Sequence, residues 1–219
     1  MRVTDEKPLT PEKKRFTIFG VELVYLYLFG IIVAFAAWVI ENVSCIFSIG
    51  QIDSRYHILP FISPYALIVL AFHIVLRDPD EITFFGKRIF KGNGRREKIL
   101  SNLIAFLIIA LCVAGGELAV GNIYEYCFGV ILWDYSEMPL HITRYTSVFT
   151  ILAFGAAAYS LFRFVFKPFL AFLRRRVPFR VAKWICLTLG MAIIADTLRL
   201  MLTIVIAGEA PLFWAIKLR

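Results

Sequence analysis

Five long apolar stretches dominate this chain and narrow what it can fold into. They run from about Phe19 to Ile40, Leu59 to Leu76, Ile99 to Ala119, Ser147 to Phe166 and Ala182 to Ala207. A helix needs about 20 mostly apolar residues to cross the hydrocarbon of a bilayer, and only the second stretch falls short of that. The charged fraction is 18%, against about a quarter in soluble domains, and 60% of residues are hydrophobic. A soluble core of 219 residues does not hide that much apolar surface; lipid does. The fold expected is an all-α polytopic membrane bundle of about five transmembrane helices. It occupies 19–207, between an N-terminal tail at 1–18 and a short C-terminal tail at 208–219. No internal repeat is evident, which argues against an inverted-repeat transporter. The first fifteen residues are polar and end in Lys13, Lys14 and Arg15, so the apolar run after them reads as a retained helix, not a signal peptide.

Basic residues orient the spans. Arg2 to Arg15, the loop from Arg77 to Lys98 and the stretch from Arg163 to Lys183 hold nearly all of them and alternate onto one side. The other side carries only Arg55, Arg144, Lys217 and Arg219. Lys and Arg resist translocation, so the rich side is expected in the cytoplasm, giving N-in and C-out. A net charge of +8 would raise nucleic acid as a partner for a soluble protein. Here the charges flank apolar spans, no nucleic-acid module is visible, and membrane lipids are the expected contact. A bacterial plasma membrane fits this bias best. Within the Arg77–Lys98 loop, Ile82 to Phe90 reads as an interfacial segment or a short hairpin. The run Arg174-Arg175-Arg176 reads as a loop anchor on anionic lipid.

Ionisable residues inside spans cost about 2.5–3.5 kcal/mol on insertion scales, so each calls for a partner or a role. Asp196 and Arg199 sit near the middle of the fifth span at i and i+3, on one helix face. They either neutralise each other or reach a group on another helix. Glu117, Gly121, Glu125 and Gly129 recur every four residues, a stripe on which another helix would pack close to two carboxylates. The stretch from Glu117 to Ile131 is either an extended helix end or a re-entrant segment. Glu41 closes the first span. With Glu125, Asp134 and Arg144 it is expected to form one cluster at an outer cavity mouth, and three acids around one Arg favour a cation or a polyol headgroup. The candidate substrate-binding set is Glu41, Glu117, Glu125, Trp133, Asp134, Tyr135 and Arg144. His73, alone in the second span, is expected to bond a neighbouring helix. Cys45 and Cys127 both fall near the outer side, where a disulfide is compatible with the sequence. Metal, cofactor and nucleophile–base motifs are absent, so no metal or cofactor is expected.

Two blocks carry a family resemblance. One is Ala37-Trp38-Val39-Ile40-Glu41 with Leu59-Pro60-Phe61-Ile62-Ser63-Pro64-Tyr65-Ala66. The other is Gly116-Glu117 to Glu125-Tyr126-Cys127-Phe128-Gly129, then Trp133-Asp134-Tyr135-Ser136-Glu137-Met138-Pro139. Together they resemble the CmpB-like family of ABC-transporter permeases of type IV, with its W-I-I-E, E-Y-x-x-G and W-D-Y-S elements. The resemblance implies a transporter membrane subunit that moves a small solute or lipid-like substrate. The chain has no G-x4-G-K-[ST], so an ATPase would be a separate partner docking on the two basic loops. Two other readings stay open. One is a membrane enzyme acting on a lipid or isoprenoid through Glu41, Glu125 and Asp134. The other is a non-catalytic partner protein, with a homo-oligomer compatible with any of the three. The expectation leans away from an enzyme.

Overall fold

The computed structural model describes residues 15–77, 83–84, 87–88 and 94–218. A small hairpin of β1 (Thr17–Ile18) and β2 (Val21–Glu22) leads into α1 (Leu23–Ile49). This helix runs nine residues past the span expected from hydropathy and closes at Gly50, whose left-handed backbone (φ 66°) returns its N–H to Ile46 O. Glu41, Asn42 and Cys45 are therefore helical, and Trp38, Glu41 and Cys45 share one face.

Strand β3 (Gln51–Asp53) then turns the chain inward. The next helix, α2 (Ser63–Leu76), has 14 residues, about 21 Å. That does not span a hydrocarbon core of about 30 Å. Pro60 and Pro64 confine the helix to the stretch after Ile62, with Pro64 in its first turn, so the second expected span is part extended segment and part helix. Strands β4 (Thr83–Phe84) and β5 (Lys87–Arg88) pair antiparallel, so the hairpin alternative holds for Ile82–Phe90 at those four residues. The remainder of that stretch lies outside the described residues.

Helix α3 (Arg95–Phe128) is continuous over 34 residues and ends at Gly129 in the left-handed region. The Glu117–Ile131 stretch is thus an extended helix end, not a re-entrant one. After the strand pair β6 (His141–Thr143) and β7 (Thr146–Ser147), α4 (Val148–Ser160) opens on a reciprocal cap between Ser147 and Thr150. A π-helical turn, Leu161–Val165, joins it to α5 (Phe166–Arg176). Pro168 lacks the N–H that an α-helix would return to Phe164, and the wider turn just before it, with Phe166 N–H on Leu161 O, absorbs the mismatch. The supposed loop from Lys167 to Lys183 is consequently almost all helix, broken only at Val177 and Pro178 before α6 (Phe179–Ala207). The last strand, β8 (Ala215–Lys217), returns to pair with β3, so the short C-terminal segment is tied to the end of α1.

Four described helices, 23–47, 95–128, 148–176 and 179–207, are long and apolar enough to cross a membrane, with α2 as a shorter fifth. Helix α1 packs on α2 and α6, α4 on α3, and α5 on α1. The main core gathers Leu26, Phe29, Leu76, Ile109, Phe162 and Phe166, with Phe29 set edge-on to Phe166 at 5.7 Å. Gly155 meets Ala110 so closely that an added Cβ would lie 2.8 Å from the alanine methyl, fixing the α3–α4 crossing. Leu103, Leu107 and Leu111 form an exposed row along α3, a face suited to lipid. The β1–β2 hairpin and the β3–β8 pair lie at opposite ends of α1. We call the first, with Arg77, Arg95 and Arg174, the basic end, and the second the distal end.

Candidate functional site

The distal half holds three polar groups of side chains. The first surrounds Glu41. Its carboxylate accepts from Arg55 Nε at 3.0 Å and from the Tyr65 hydroxyl at 3.2 Å. Arg55 also donates to Cys45 Sγ at 3.1 Å and lies 3.8 Å from Asp53. The guanidinium comes from a turn in which Arg55 and Tyr56 both take positive φ, 50° and 67°, a strained conformation for residues with a Cβ. Glu117 of α3 and Tyr135 of the α3–α4 connection lie within electrostatic reach of this cluster. Burial, and then the carboxyls of Glu117 and Glu41, push the Tyr135 phenol up to about 12. Two buried atoms here, Trp38 Nε1 and Glu117 Oε2, have no hydrogen-bond partner among the described residues. Trp38 sits one turn from Glu41 on the same face of α1.

A second group builds a cover over the end of α3. Arg144 Nη1 donates to Glu125 Oε1 at 2.7 Å, and its Nε lies 3.3 Å from Asp134. The Tyr145 hydroxyl donates to the other Glu125 oxygen at 2.6 Å, and Trp133 Nε1 donates to Tyr145 O. The Tyr145 ring lies directly on Gly121, leaving no room for a Cβ. The acid–glycine stripe thus admits a tyrosine ring from a loop, where the spacing suggested another helix. A cavity of about 520 Å³ opens beside this cover, lined in part by Asn122, Glu125, Ser136, His141 and Arg144. Asp134 accepts the Ser136 amide at 2.8 Å; Ser136 is the main reason its carboxyl sits below the usual aspartate range, with Arg144 contributing less.

The third group holds Asp196 and Arg199 of α6. They pair with each other, Arg199 Nη2 lying 2.9 Å from Asp196. They also do more than neutralise. Asp196 accepts the backbone N–H groups of Ile58 and Leu59 at 3.1–3.2 Å, and Arg199 donates to Tyr56 O at 3.2 Å. His57 Nδ1 lies 3.4 Å from the same carboxylate, and the Arg199 guanidinium covers Phe213 at 3.9 Å. Asp196 is eleven residues, about 16 Å, from the end of α6. Ile62 N–H reaches Ala34 O, in the interior of α1. The segment after β3 therefore dips into the bundle and runs on into α2, as the extended half of the second crossing.

The expected single cluster around Arg144 is two in the structure. Glu125 and Asp134 belong to Arg144, whereas Glu41 belongs to Arg55, with Tyr135 and Glu117 between the groups. Arg55, Tyr65, Tyr145 and His57 join these groups without standing out in the sequence as site residues. Trp38 and Tyr65 stood inside the W-V-I-E and S-P-Y blocks, and that was the available signal. Cys45 is buried and Cys127 exposed, both free thiols, so they form no disulfide. Among the described residues no three His, Cys, Asp or Glu side chains converge as a metal set. His73 bonds the β1–β2 hairpin and not a neighbouring helix, its Nε2 lying 2.8 Å from Ile18 O.

The family described as "Putative ABC-transporter type IV" (CmpB) matches residues 27–201. The chain belongs to that family. The match takes in all three polar groups, from Trp38 to Arg199. It joins with the four described helices that are long and apolar enough to cross a membrane to describe an integral, multi-pass membrane protein of transporter-permease type. No curated protein and no solved structure matches the chain.

Proposed function

We propose that the chain is the membrane subunit of a transporter and that its distal polar groups receive the substrate. The observation carrying this reading is the pair of orphaned buried atoms, Trp38 Nε1 and Glu117 Oε2. Buried polar atoms normally find partners, and exceptions point to an absent ligand or water. A donor on Trp38 and an oxygen on Glu117 suit a group that both accepts and donates. Across the two distal clusters five carboxyl groups, Glu41, Asp53, Glu117, Glu125 and Asp134, stand against two guanidiniums, Arg55 and Arg144. That balance favours a cation or a hydroxyl-rich polar headgroup. Trp133, Tyr135, Arg144 and Glu125 cover the distal side, as a gate over the site. Asp196 and Arg199 keep the extended backbone from Tyr56 to Leu59 in place beneath it.

The positive-inside bias supports a cytoplasmic basic end, with the N-terminal hairpin inside and β8 outside. Energy comes from a separate ATPase docking near Arg95, Arg96 and the Arg174–Arg176 turn. Gentle-detergent purification of the tagged chain tests this. A stoichiometric ATPase that leaves when Arg95 and Arg96 become Glu is the expected result. Recovery of the folded chain alone, from cells expressing its neighbours normally, overturns the ATPase half. For the site, thermal shifts with polyamines and polyols are expected in the native chain and lost in Glu117→Gln; shifts unchanged in that variant overturn the assignment.

A further inference from the structure

At the opposite, basic end, a cavity of about 520 Å³ lies between the β1–β2 hairpin, the end of α2 and α5. Its apolar walls are Phe19, Val21, Phe166 and Leu170, and its charged ones are Arg77, Lys167 and Arg174. No carboxylate lines it among the described residues. The Arg77 guanidinium lies over the Phe19 ring at 4.1 Å, and its Nε is buried without a hydrogen-bond partner among the described residues. Arg174 is only loosely engaged, 3.8 Å from Glu22 and 3.4 Å from Gly20 O. The hairpin wall has two residues per strand, too few to hold itself, and the buried His73 ring fixes it through Ile18 O.

Arg77 and Arg174 over an apolar floor, at the end where α2 closes, match an amphiphile with an anionic head. A free anion would gain nothing from Phe166 and Leu170. We infer that this cavity seats one anionic phospholipid of the leaflet at the basic end, its phosphate between Arg77 and Arg174 and an acyl chain along Phe166 and Leu170. Arginine suits the task, since its guanidinium meets phosphate oxygens two at a time. The site is independent of the distal polar groups. The lipid would staple the N-terminal hairpin to α2 and α5.

Asp78, Asp80 and Glu81 follow Arg77 in sequence and lie outside the described residues, so the test must separate lipid capture from internal pairing. The full chain is stripped of lipid in mild detergent, offered phosphatidylglycerol or phosphatidylcholine of equal chain length, and read by native mass spectrometry. One phosphatidylglycerol is expected to be retained about tenfold more than phosphatidylcholine. Arg77→Gln with Arg174→Gln should abolish the preference, whereas Arg180→Gln with Lys183→Gln, an equal charge change at the same end, should keep it. Ala171→Trp fills the cavity with every charge in place and should expel the lipid while leaving the melting temperature of the lipid-stripped chain unchanged. Equal retention of both lipids, equal loss in both charge variants, or retention in Ala171→Trp overturns the inference. Full displacement by millimolar inorganic phosphate overturns it too, by making free phosphate the ligand.

Discussion

The carboxylate of Asp196, midway along α6, accepts the backbone N–H of Ile58 at 3.1 and 3.2 Å. A helix side chain here does what strand or helix partners do elsewhere, because backbone exposed inside a membrane must be satisfied by protein. This bond, with the one to Leu59 and the Arg199 bond to Tyr56, allows the chain to re-enter the bundle and begin α2 deep below the distal surface.

That arrangement predicts an order of stabilities. Asp196→Ala leaves Arg199 half-buried and two amides without an acceptor, and is expected to cost about 3 kcal/mol or more. Removing Arg199 as well does not restore stability, because the amides stay unsatisfied; Asp196→Asn, which keeps one accepting oxygen, is the mildest of the three. Thermal unfolding in one detergent ranks them. Full recovery in the double variant would show that the two side chains serve only each other.

Gly121→Ala drives a methyl into the Tyr145 ring and should cost about 1–3 kcal/mol. The collision is specific, so combining it with Tyr145→Ala should cost clearly less than the two changes added together. A double-mutant cycle on unfolding midpoints reads this directly, and strict additivity would place the ring elsewhere.

The Asp134 carboxyl is depressed by Ser136 first and by Arg144 less. A depressed acid contributes stability that is present above its unfolded value and lost as pH falls through its lower folded value. The turn at Asp134 is thus expected to hold through pH 4 and loosen below it, with the carboxyl titrating under the ordinary value of about 3.9. Carboxyl-carbon NMR of the labelled chain reports the midpoint, and Asp134→Asn should flatten the acid-side loss of the Arg144 contact.

Opposite placement of the two chain ends is open to labelling. With Cys112 and Cys127, the exposed thiols, changed to Ser, single cysteines at Lys7 and Lys217 should react with an impermeant reagent from opposite faces, Lys217→Cys from outside. Access to both from one face would overturn the N-in, C-out arrangement.

Much of the fold was legible in the residues. Spans of α1, α3 and α6 follow from apolar length. The hairpin at Thr83–Arg88 also lay within reach of a turn reading. What escaped were features in which hydropathy is silent. The Lys167–Lys183 stretch looked like a loop because it is basic, yet α5 carries Arg174 to Arg176 on its last turn beyond the apolar depth. The second span looked like a helix because Leu59–Ile62 is apolar, yet Pro60 and Pro64 hold those residues extended.

The site divides the same way. Sequence alone determined which residues are anomalous: Glu41, Glu117, Glu125, Asp196 and Arg199 stand out because a charge in an apolar span is costly wherever its partner lies. Only the tertiary structure decided the partners. Arg55 takes Glu41, Arg144 takes Glu125 and Asp134, and Asp196 takes the amides of Ile58 and Leu59 from well over a hundred residues away. Membrane insertion acts on each segment's own transfer free energy, which can be read along the chain. Pairing depends on helix packing and on an extended segment before α2 that no local pattern encodes.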